Sequence, residues 1–133
     1  SMEKLLVQNT DIVTEEVIRR LTQEQIYQFT IVHCRIFSIY PTKMRIWPST
    51  FLVEEEGNRR KLLHNFNISL YPGWTDYFVK NDYIRFTLVF EGLSKGCRQF
   101  HLLEEIPEPF GFYSEKIPRN NSDVYQAELR VDY

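Results

Sequence analysis

Residues Tyr83 to Glu91, reading YIRFTLVFE, place Ile84, Phe86, Leu88 and Phe90 on one side of the chain and Tyr83, Arg85, Thr87, Val89 and Glu91 on the other. Only an extended strand sends successive side chains to opposite faces. The segment therefore predicts a half-buried β-strand with its aromatic face on the core. Around it the same signal recurs. Gly92 to Gly96 supplies a tight connection. Cys97 to Glu105 resumes strand character, with Phe100 and Leu102 on one side, and ends before Pro107 and Pro109, which cannot donate to a ladder. The turn cluster Asn120 to Asp123 precedes a last half-exposed strand in which Tyr125, Ala127, Leu129 and Val131 alternate with polar residues.

Upstream, Phe51-Leu52-Val53, a charged tip containing Gly57-Asn58, and the returning Leu62-Leu63 predict a β-hairpin. Ile26 to Phe37 reads as a long strand, Lys43 to Trp47 as a short one, and Tyr71-Pro72-Gly73-Trp74 as a turn. Residues 14–25 fit two readings: a helix with Thr14 as cap and Glu15-Glu16 in its first turn, or a strand pair turning at Thr22 to Gln25. No repeat, low-complexity stretch or linker divides the chain. One domain over residues 1–133 is expected, residues 1–14 being either part of it or an irregular arm.

Charge and composition narrow the functional classes. With hydrophobic residues at 43% and aromatics at 15%, the chain has the apolar surface that disordered sequences lack. Sixteen basic residues against eighteen acidic ones argue against a general nucleic-acid binder, which draws most of its affinity from phosphate neutralisation. No apolar run has the roughly 20 residues of a membrane helix, so membrane insertion is not expected. No charged-then-apolar leader opens the chain. With Met2 as the native start the expected compartment is the cytoplasm; a leader trimmed ahead of Ser1-Met2 would make it the periplasm or cell envelope.

No arrangement of reactive residues stands out. His33, His64 and His101 fall on three different strand segments, without local metal-ligand spacing. Cys97 and His101, four apart on one strand, would be about 13 Å apart, too far for proton transfer. Glu104 and Glu105 are neighbours and point to opposite faces, so they form no acid/base pair. Glu54 to Glu56 read as a solvated hairpin tip, and cross-hairpin pairing with them accounts for Arg59-Arg60-Lys61. Asn67-Ile68-Ser69 and Asn120-Asn121-Ser122 match the glycosylation triplet, which arises often by chance. Cys34 and Cys97 exclude a CxxC motif; they are two buried thiols or one disulfide.

The aromatic surplus is more informative. Trp74 and Tyr77 lie in one turn-rich segment, and Phe110, Phe112 and Tyr113 in another beside Pro107, Pro109 and Gly111. Loop aromatics bury much area at little entropic cost and serve as recognition anchors, or else they cap the ends of the core.

Taken in order, a Trp-containing strand with Ser49-Thr50-Phe51-Leu52, a charged hairpin, a Trp-bearing turn, the F-x-L-x-F-x-x-L pattern of residues 86–93 and the F-x-L-L-E pattern of residues 100–104 resemble small immunoglobulin-like β-sandwich modules of bacterial envelope proteins. Some of those precede thioredoxin-like domains; this chain carries neither such a domain nor a CxxC. The likeness spans about residues 15–106 and transfers no functional residue. It implies an accessory, non-catalytic role and favours the strand pair over the helix for residues 14–25. It also implies that Cys34, late in its strand, and Cys97, at the start of its own, lie at opposite ends of a sandwich, beyond the roughly 7 Å limit for a disulfide. The expectation is thus an all-β, immunoglobulin-like sandwich of about seven to nine antiparallel strands, with one N-terminal helix as the alternative start. It would have no cofactor, no catalytic site and no disulfide. Its expected role is non-catalytic interaction or assembly, with a protein partner or a second copy of itself. The alternative role is binding of a small ligand or carbohydrate around Trp74.

Overall fold

The computed structural model describes residues 29–132, all of them in strands and their connections. In chain order the strands are β1 (Phe29–Ser38), β2 (Thr42–Ile46), β3 (Thr50–Glu54), β4 (Arg59–Phe66), β5 (Ser69–Leu70), β6 (Thr75–Tyr77), β7 (Asp82–Glu91), β8 (Gln99–Glu104), β9 (Gly111–Tyr113), β10 (Ile117–Pro118), β11 (Val124–Glu128) and β12 (Arg130–Asp132). The choice between helix and strand pair at 14–25 falls outside the described residues, as does the start of the long strand expected from Ile26. No helix among the described residues is long and apolar enough to cross a membrane.

β1 and β7 form the spine. Their β-branched and aromatic residues favour the pleated state, and they pair antiparallel from Phe29↔Glu91 to Ser38↔Asp82. Ile84, Phe86, Leu88 and Phe90 all point into the core, as their alternation requires. The expectation of a half-exposed β7 needs correction, because Thr87 and Val89 on the second face are buried too. Opposite them on β1 stand His33 and Ile31, also buried, and His33 Nδ1 meets Thr87 Oγ1 at 2.8 Å.

The main sheet runs β11-β1-β7-β4-β3-β8-β9-β12, with β10 on β8; a small sheet, β5-β2-β6, packs beside it. The expected hairpin is β3–β4, turning through Gly57 at φ 94°, a conformation that glycine adopts without steric cost. On β4 a bulge between Leu62 and His64 leaves Leu63 without a partner and turns it outward.

The expectation of antiparallel strands throughout holds only in part. β1 pairs parallel with β11, and β2 parallel with β5. β11 and β12 are one strand bent at Leu129, and they lie at opposite ends of the strand order. β11 pairs β1 while β12 pairs β9, so the last strand nearly closes the main sheet into a barrel. A hairpin cannot do this. Only a strand arriving from across the molecule can dock parallel to β1. Inside lies one cluster that includes Val32, Ile46, Leu52, Leu88, Phe100 and Leu102. Cys34 and Cys97 are buried free thiols within it.

Candidate functional site

The small sheet carries a short polar-aromatic pattern, Lys43-x-Arg45-x-Trp47, whose period of two sends all three side chains to one face. The β5–β6 turn folds Tyr71 and Trp74 onto that face. Tyr71 and Trp47 stack with centroids 3.8 Å apart. The Arg45 guanidinium lies 3.9 Å from the Trp74 ring centre and 4.6 Å from that of Tyr71. Glu108 closes the arrangement with a 3.3 Å ion pair to Arg45. A mostly buried cation among half-exposed aromatic faces and one carboxylate is a stabilising unit, because each cation–π contact of this kind contributes on the order of 0.5–1 kcal/mol.

Across from this unit lies the Pro107 to Phe112 loop, and between the two runs a groove of about 640 Å³. Its floor comprises Ile36, Met44, Ile84 and Phe112; its rim includes Phe37, Lys43, Trp74 and Phe110. Glu104 fastens both walls. One carboxylate oxygen accepts the Trp47 N–H at 2.9 Å and the other the Phe112 N–H at 3.1 Å. Burial pushes the Glu104 carboxyl above its ordinary range, and the charge of Glu108 adds to this. The two N–H groups and Arg45 oppose the rise without cancelling it.

The loop wall is held under strain. Phe110 has φ 78°, a left-handed conformation that bulky side chains rarely adopt, and its N–H donates to the Asp132 carbonyl at 2.8 Å. The next residue must be glycine. A Cβ on Gly111 would lie 2.7 Å from the backbone oxygen of Glu104.

Of the residues singled out from the sequence, Trp74, Phe110 and Phe112 meet at this groove although two separate segments supply them. Tyr77 does not join them. It is buried in the core, and its hydroxyl donates to the Asn67 carbonyl. Tyr113 pairs with Leu103 and Arg130 in the sheet and lies outside the groove. The three histidines stay apart, His33 on β1, His64 on β4 beside Phe29, and His101 on β8 opposite Val53.

Sequence reasoning missed Arg45, Trp47 and Phe37, and it weighed Glu104 only as half of an acid/base pair. Two of these had a signal: Arg45 shares its strand face with Trp47, and Glu104 continues the inward series Phe100, Leu102.

The reading of the charged hairpin is also corrected. Glu54 is buried, and its carboxylate accepts the Ser94 N–H at 2.7 Å and hydroxyl at 2.6 Å. Arg59 reaches across to Glu105 and lies over the Phe51 ring. The hairpin's charges are thus only partly matched across the turn, where Arg60 acts on Glu54; Arg59 pairs with Glu105 instead, because strand β8 lies beside β3.

The chain matches no known protein family, and neither curated proteins nor solved structures give a match to it.

Proposed function

We propose that this domain is a non-catalytic interaction module that grips an apolar segment of a partner protein in the groove between the Arg45 unit and the Pro107–Phe112 loop. One observation carries the reading. Among the described residues, three of the nine exposed large hydrophobics, Phe37, Trp74 and Phe110, come from three separate segments and meet on the rim of this groove. Soluble domains seldom gather exposed apolar surface in one place unless something docks there. Tryptophan, tyrosine and arginine are also the residues that dominate the energetics of protein interfaces.

A sugar-binding role is the alternative, and Trp74 is less suited to it. Arg45 and Lys43 both sit over this ring, at 3.9 and 5.0 Å, and compete with a sugar for the face they cover. The role fits the accessory, immunoglobulin-like modules that the sequence resembles. We read the fold as a distorted sandwich of that kind whose free edges the last strand bridges.

The test is a selection from a random peptide library. Both tryptophans of the chain, Trp47 and Trp74, belong to the site, so their fluorescence reports on it directly. Peptides with an apolar anchor should be enriched and should shift this fluorescence. Trp74→Ser and Phe37→Ser should each abolish the shift while leaving the fold intact. A glycan array that gives saturable binders where the peptide library gives none would overturn the reading.

A further inference from the structure

Arg35 on β1 and Arg85 on β7 stand directly opposite each other in the antiparallel register. Residues so placed have Cβ atoms about 5 Å apart, and like charges there repel. Both side chains leave the same face of the sheet. Beneath them lies one aromatic ring, that of Tyr83, with the Arg35 guanidinium 4.3 Å and the Arg85 guanidinium 5.5 Å from its centre. Among the described residues, one carboxylate serves the two cations. Glu128, opposite Arg35 on β11, approaches it at 3.9 Å with one oxygen and accepts the Tyr83 hydroxyl at 3.2 Å with the other. Among the described residues no carboxylate lies within ion-pair distance of Arg85. The five residues Arg35, Arg85, Gln126, Ala127 and Glu128 line an open hollow of about 410 Å³ and share none of the groove's lining.

We propose that this hollow is a binding site for a single carboxylate, held by the fork of Arg85 with Arg35 beside it. The class follows from charge and shape. Two guanidinium groups and one carboxylate leave one positive charge, which a monoanion balances. A planar carboxylate matches the parallel donors of an arginine fork. A dianionic phosphate would overshoot that balance. The site stands independently of the groove, and the failure of either leaves the other intact.

The experiment follows the arginine Nε–Hε resonances by NMR. Acetate should shift those of Arg35 and Arg85 together and saturably, and chloride at equal ionic strength should not. The amide of N-acetyl-aspartate, added in parallel, separates the two sources of the group. A tighter response than to acetate marks a protein-borne carboxylate, and an equal one marks a free small acid. Arg85→Glu puts the missing carboxylate opposite Arg35, so it should erase the response and raise Tm by a few degrees. Arg85→Gln should erase the response with little change in Tm. Absence of a saturable shift in the unaltered protein, its persistence in either variant, or tighter binding of inorganic phosphate than of acetate would each overturn the assignment.

Discussion

Glu54 and Glu104 are both carboxylates that face inward, and their surroundings drive them in opposite directions. Burial pushes the Glu54 carboxyl up, but the Ser94 hydroxyl and N–H, Asn58 and the charge of Arg60 together hold it below the ordinary range. A lowered folded pKa favours the ionised form. The stability it contributes is present above the ordinary glutamate value of about 4.3 and is lost as pH falls through the folded value. Glu104 is raised, chiefly by burial. Its contribution is present below about pH 4.3 and fades as pH rises through the folded value. Calorimetric Tm followed against pH should therefore lose part of its acid-side fall in Glu54→Gln. In Glu104→Gln it should instead lose a shallow decline just above that value. Identical pH profiles for both variants and the unaltered protein would refute the assignment.

Phe110 permits a second test at this scale. Its left-handed backbone costs a bulky residue roughly 1–2 kcal/mol, which glycine does not incur. Phe110→Gly should leave Tm unchanged or higher while weakening a selected groove peptide by more than about 1 kcal/mol. A large loss of stability would mean that the side chain serves packing and not recognition.

At the scale of elements, the groove depends on how closely β9 lies against the end of β8. In Gly111→Ala the new Cβ meets a backbone oxygen at 2.7 Å, and a backbone atom cannot step aside as a side-chain tip can. The expected cost is about 1–3 kcal/mol, read from the urea midpoint. Glu104→Ala should cost about 1–3 kcal/mol for each of the two N–H groups it strands, and it should detach both groove walls at once.

The elements themselves were largely legible. β7, the β3–β4 hairpin and the final strand follow from alternation and turn residues, which are local properties. What escaped was set by partners distant in sequence. Nothing in Thr87 or Val89 tells that His33 and Ile31 will share their buried face. Arg59 lies nearer in sequence to Glu54, yet its partner is Glu105, because β8 and not the turn supplies the neighbouring carboxylate. The groove was half legible: the aromatic loops were visible, while the arginine that organises them required knowing which turn would fold over β2.

For the molecule as a whole, the decisive segment is the last strand. Leu129 sits at its bend, 3% exposed, and its N–H donates to the Arg35 carbonyl at 2.8 Å. Before the bend the strand completes one edge of the main sheet, and after it the other. A single residue thus joins the two edges, and an apolar side chain there packs into the shared core. Leu129→Ala should cost about 2–5 kcal/mol, the usual range for emptying a buried leucine site. The more telling measurement is hydrogen exchange after removal of residues 129–133. If the strand closes the barrel, protection should fall at the groove loop, whose Phe110 N–H loses the Asp132 carbonyl, while the Phe112 N–H keeps its Glu104 acceptor. The β3–β4 hairpin should keep its protection, since its pairing is local. Uniform loss across all strands would mean that the sheet folds as one indivisible unit and that closure has no separate role.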